Sequence, residues 1–186
     1  MRIRDLYDRP TPSVSFEFFP PKNAEAEETL FRDTVPGLVV LSGMEVSCEE
    51  GHFLAYGIKD PTMITRRMHV RDLCKEIHGQ GGVVVAAHPF RWGQPFEEIL
   101  LEEQPELDGL EMMSSNMDSE CRLRAAEVFA RGGLAGTGSS DAHHEQTLGC
   151  CFTEFAAVIR DYPDLVRAIR EQKSTPRESM NGNILR

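Results

Sequence analysis

Five residues of this 186-residue chain are of types that bind divalent metals and sit where strand-like runs end. They are Glu45 in GMEVS, His52 in HFLAYG, His88 in VVVAAHPFR, and Asp141 and His143 in GSSDAHH. Carboxylates and imidazoles in one set suit Zn, Mn or Fe better than Ca or Mg, which prefer all-oxygen shells. Glu45, His52 and His88 make a three-ligand set that leaves a position open for water, as a catalytic centre requires. Asp141 would complete a second site that shares Glu45. In an extended segment Asp141 and His143, two residues apart, point to the same side. The expected chemistry is metal-assisted hydrolysis with one to two divalent ions. Glu45, His88, Asp141 and His143 are its candidate catalytic residues.

Other residues take supporting places. Glu45 lies in an apolar strand, VVLSGMEVS, where a buried carboxylate needs a cation or a strong donor. Arg91, three residues after His88, is a candidate to hold a phosphate oxygen bidentately. Glu111 in LDGLEMM and Asn116 beyond it are candidates to support the ligands. His69, His78 and His144 read as surface residues, and Met112, Met113 and Met117 as core filling.

The elements that must position these groups follow from pattern. SVSFEFF (13–19) reads as a strand and Asn23 as the cap of a short helix that Pro36-Gly37 breaks. Strands at 38–47 and 52–58 flank CEEG, which suggests a hairpin. A helix is expected at 63–78. VVVAAH (83–88) is a nearly continuous apolar run, as for a strand buried on both faces of a parallel sheet. Helices near 95–103 and 118–131 alternate with strands at 108–113 and just before GSSDAH. A strand near 151–156 and a helix at 163–173 follow, and the polar tail from Ser174 reads as loose. Such alternation argues for an α/β domain with parallel strands. A barrel or open sheet of that kind presents its chemistry at strand ends.

Composition narrows the function. The net charge of −10 lacks the basic footprint of a non-specific nucleic-acid binder, so nucleic acid enters only as a substrate. An acidic surface still admits an anionic substrate, because bound cations dominate the local field. No apolar run reaches the length of about 18 residues that a membrane span needs. MRIRDLYDRPTPS lacks the apolar core of a signal peptide. The five cysteines (48, 74, 121, 150 and 151) are scattered and without paired spacing, which suits free thiols in a reducing, cytoplasmic setting.

Four stretches in order, GMEVS with EEGHFLAYGI, GGVVVAAHPFR, LDGLEMMSSN and GSSDAHHEQTLG, resemble successive motifs of the PHP superfamily, named for polymerase and histidinol phosphatase. The resemblance runs from about residue 38 to 173. It implies a distorted (β/α)7 barrel, two or three Mn, Zn or Fe ions, and hydrolysis of phosphoester bonds in a phosphorylated small molecule or nucleotide. By motif position it implies Glu45 as bridging carboxylate, His52 and His88 as the other ligands of that metal, and Asp141 and His143 as closing ligands. The superfamily's opening His-x-His strand and following Asp-His strand have no counterpart, since no histidine precedes His52. The barrel is therefore expected to be incomplete, with an open edge that favours dimerisation or aggregation. Missing ligands set against the phosphoesterase a second reading, an inactive metal-binding or structural remnant.

Residues 2–32 are instead similar to the start of methylenetetrahydrofolate reductase, a flavin-dependent barrel whose catalytic glutamate matches Glu17. Some thirty residues are too few to bind flavin or folate. The chain thus reads as a reductase-like segment (1–36), a PHP-like domain (37–175) and a polar tail (176–186), with Glu17 a candidate oxygen donor at the barrel mouth.

Overall fold

A computed structural model describes residues 39–179. The reductase-like segment, Glu17 included, lies outside the described residues. Within them, β1 (Gly43–Ser47) and β2 (His52–Tyr56) form the expected hairpin, in the register Glu45↔Leu54 and Ser47↔His52. β2 pairs antiparallel with β3 (Val83–Ala86). β4 (Gly109–Met113) and β5 (Ala135–Gly138) then continue the sheet in parallel, giving the order β1-β2-β3-β4-β5.

Two features depart from expectation. Among the described residues the five-stranded sheet is open, with no barrel closure, and only its β3-β4-β5 half is parallel where parallel strands were expected throughout. Residues 174–178, expected to be loose, form β7 (Ser174–Glu178), which pairs antiparallel with β6 (Cys151–Phe155) in a separate two-stranded ribbon. That ribbon leans on β5 through side chains. The Thr153 hydroxyl accepts from Gly138 N–H (3.0 Å) and donates to Gly138 C=O (2.8 Å), while Ser174 Oγ donates to Gly136 C=O (2.9 Å). These bonds satisfy backbone groups that a sheet edge would otherwise leave open.

Alternation along the strands explains the layering. Phe53, Ala55, Val84, Ala86 and Leu110 share one apolar cluster with helices α1 (Val70–Gln80), α2 (Phe96–Glu102) and α3 (Ser119–Ala130). Leu54, Val83, Val85 and Ala87 belong to a second cluster with α4 (Tyr162–Arg170). Val83, Val84 and Val85 are wholly buried, and each such side chain contributes about 1.5–3 kcal/mol by leaving water. The sheet thus lies between helices on both faces, as the apolar run of β3 suggested.

Local chemistry sets the helix ends. α1 starts at Val70, not near 63, because Asp60 caps a separate 3-10 turn at Pro61–Met63 and Arg67 takes φ 62°. Glu50 Oε2 accepts the Val70 N–H (3.0 Å), and Gly81 ends the helix in the left-handed region at φ 89°. Gly82 follows where a Cβ would lie 2.2 Å from Tyr56 C=O, so only glycine lets α1 turn into β3 beside β2. Asp118 and Asp161 cap α3 and α4 through the N–H groups of Cys121 and Asp164. Asp108 joins α1 to β3, accepting Val84 N–H (2.8 Å) while its Oδ2 sits 2.7 Å from His78 Nε2. His78 is therefore an internal tie and not the free surface residue its helical position suggested. All five cysteines are free thiols, and burial pushes those of Cys48, Cys74 and Cys151 up to about 12. No described helix is long and apolar enough to cross a membrane.

Candidate metal centre

The strand directions bring the chemistry to one edge. Antiparallel pairing sets the start of β2 beside the end of β3, and parallel pairing sets the ends of β4 and β5 next to it. On the hairpin, directly paired residues share a face, so Glu45 and His52 are diagonal neighbours across β1 and β2. His88 follows β3 by two residues.

These three side chains meet. One ligand atom from each of Glu45, His52 and His88 lies within 4.8 Å of the others. Nδ1 of His52 is 2.7 Å, and Nε2 of His88 3.8 Å, from Oε1 of Glu45. A cation with ligands at about 2.0–2.2 Å sets its donors roughly 3.4 Å apart, so small side-chain movements would serve it. Both His52 Nδ1 and His88 Nδ1 are buried without a hydrogen-bond partner among the described residues. The short His52–Glu45 approach lacks hydrogen-bond geometry. Two imidazoles and a carboxylate whose buried nitrogens go unused fit a borderline divalent cation. Glu45 itself is not buried as its apolar strand suggested; its side chain is 38% exposed, on the outer strand of the described sheet.

Charge reinforces the grouping. The His88 imidazole, aided by the charges of His52 and Arg91, holds the Glu45 carboxyl below its ordinary range despite partial burial. Burial opposes a proton on His88, but the Glu45 contact and the Glu111 charge outweigh it and move that imidazole up.

Glu111 is the hidden support. It is fully buried mid-strand, where it accepts the His88 N–H (2.6 Å) and the Ser139 hydroxyl. Burial raises its pKa, against the opposing effect of those two donors. It fixes the backbone of His88, which takes φ 28°.

Asp141 and His143 form a neighbouring group outside the three-residue cluster. Asp141 takes φ 41°. Its Oδ2 is approached by Arg91 Nη1 (3.3 Å) and accepts a short hydrogen bond from Asn116. Asn116 also donates to the Asp141 carbonyl (3.0 Å), and His143 Nδ1 lies 2.9 Å from the same oxygen. His143 is exposed, as is His144. Arg91 bridges the two groups. Its guanidinium also lies 3.9 Å from the centre of the Trp92 ring, a residue sequence reasoning passed over. The signal available was a lone tryptophan four residues after a candidate ligand, His88.

A family model described as PHP-associated matches residues 121–174. Among solved structures the chain is similar to a two-domain protein from Bacteroides vulgatus containing a predicted PHP-like metal-dependent phosphoesterase, at 18% identity and TM-score 0.61. That similarity covers 83% of this chain and 48% of the other. It is also similar to PsfC from Pseudomonas syringae, at 16% identity and TM-score 0.64, over 80% of this chain and 63% of that one. The chain thus spans less than two thirds of either structure, and at these identities the likeness shows the fold. No curated protein matches it. The PHP-associated match lies within the stretch that carries the ordered motifs, and the two solved structures share the fold.

Proposed function

We propose that this chain is a metal-dependent phosphoesterase acting on a phosphorylated small molecule or nucleotide. The observation that carries the reading is the convergence of Glu45, His52 and His88 at the strand ends, with His52 Nδ1 buried without a hydrogen bond 2.7 Å from the Glu45 carboxylate. A Mn, Zn or Fe ion held by these three would supply Lewis acidity, activating water and offsetting charge on the phosphoryl group. The chain's own residues do the rest. Glu111 keeps His88 in its ligating backbone conformation. Arg91, at the boundary between the cluster and Asp141, is placed to bind a phosphoryl oxygen. Asp141 would complete a second site that shares Glu45, with His143 as a closing ligand.

A second reading, a metal-binding protein without turnover, draws on Asp141. Its carboxylate is already engaged by Arg91 and Asn116, so a second ion would have to displace them. Elemental analysis of the purified protein, with hydrolysis of bis(4-nitrophenyl) phosphate in added Mn, separates the two. Turnover abolished by His88→Ala supports the phosphoesterase. A bound ion with no turnover under any metal supports the second reading, and absence of any ion defeats both.

A further inference from the structure

Trp92 is the one tryptophan in the chain and is 78% exposed. It stands at the rim of the metal cluster, with its ring centre 6.1 Å from that of His52 and 6.2 Å from that of His88. An exposed indole forgoes a large share of the stabilisation that burial would give it. The backbone adds to the cost. His88, Phe90 and Trp92, three alternate residues, take φ of 28°, 71° and 58°, a region that bulky side chains rarely occupy. Backbone held in such conformations at a site marks an arrangement kept by its surroundings.

Those surroundings are visible. Phe90 is buried edge-to-face against Phe96, with Arg124 over its ring, which anchors the loop from below. Above, the Arg91 guanidinium lies over the indole and reaches Asp141. The loop thus holds a flat aromatic surface in solvent, about one ring's breadth from the ligand histidines.

We propose that Trp92 determines substrate choice, stacking a planar aromatic or heteroaromatic group carried by the phosphoester while the phosphoryl group lies at the cluster. The inference rests on the phosphoesterase reading of the same site. It names a substrate class, phosphoesters bearing a flat ring close to phosphorus, over sugar or alkyl phosphates.

The test uses probes that cannot be hydrolysed, so binding is read apart from turnover. Phenylphosphonate and methylphosphonate are titrated into Mn-loaded protein by calorimetry and by the fluorescence of Trp92. Wild-type protein should prefer phenylphosphonate by about tenfold, as expected of one aromatic stack. Only the phenyl compound should change the indole emission strongly. Trp92→Ala should abolish the preference for the phenyl compound, and Trp92→Phe should keep most of it. Equal affinities in wild type, a preference that survives Trp92→Ala, or no binding of either probe would overturn the proposal. A retained preference without hydrolysis of any phosphoester would sink the phosphoesterase reading alone. Hydrolysis without the preference would sink the role of Trp92 alone.

Discussion

Replacing Glu111 with leucine should loosen the metal centre from beneath without touching a ligand side chain. Glu111 is fully buried and accepts two hydrogen bonds, from the His88 N–H and the Ser139 hydroxyl. Leucine accepts neither. Each buried donor left without a partner costs about 1–3 kcal/mol, so the gross penalty is about 2–6 kcal/mol. Removing a carboxylate whose own burial is unfavourable offsets part of this. A net loss of about 2–4 kcal/mol should lower Tm by roughly 4–16 °C in a domain of this size. The fold should survive, because stabilities of about 5–15 kcal/mol are usual. His88, no longer anchored at φ 28°, should relax, and metal affinity should fall about 10–100-fold, the usual effect of losing a ligand's support. Glu111→Gln keeps one acceptor of the same shape and should lose less on both counts. Tm by calorimetry and metal affinity by competition with a chelating dye measure the two effects. A leucine variant with wild-type metal affinity would refute the argument that Glu111 positions His88, whatever its Tm.

Gly82→Ala should destabilise by about 1–3 kcal/mol, seen as a lower urea midpoint, because the new methyl meets Tyr56 C=O at 2.2 Å and Ile77 Cγ2 at 2.8 Å. At pH 8 a thiol reagent should modify the partly exposed Cys121 and Cys150 first and spare Cys48, Cys74 and Cys151, whose thiols are buried and titrate near 12; equal rates at all five would contradict this. The His69 ring should titrate above its ordinary value, because the Glu50 carboxylate bonds its imidazolium, and Glu50→Gln should bring it back in an NMR titration. The stabilisation from that pair is present below the ordinary histidine pKa and is lost as pH rises through the raised value.

The sequence pattern placed Glu45, His52 and His88 where the structure brings them together, because their strands are short and end abruptly. Apolar runs stop at His88 and before Asp141, and the CEEG link implied the hairpin that sets Glu45 beside His52. Glu111 was a supporting candidate from its place in LDGLEMM, but the group it supports follows only from the parallel pairing of β3 with β4, a contact between residues 23 apart. Two things escaped the pattern. STPRE, polar and carrying Pro176, gives no strand signal. What makes it a strand is the ladder to β6 and the Ser174 bond to Gly136, both tertiary. The start of α1 was placed a turn and more too early, because apolar spacing persists through 63–68 while Arg67 breaks the backbone. Periodicity reports which side chains face a core. It does not report where a single dihedral interrupts the helix.

The ribbon of β6 and β7 has a reach beyond its size. Thr153 grips both backbone groups of Gly138; the next residue, Ser139, holds Glu111, and Glu111 holds the His88 amide. Side chain, peptide and side chain link the ribbon to the backbone of His88 in four steps. Trimming the chain before Ser174 would therefore reach further than the residues removed. It would slacken the moorings of His88, which the cut leaves in place.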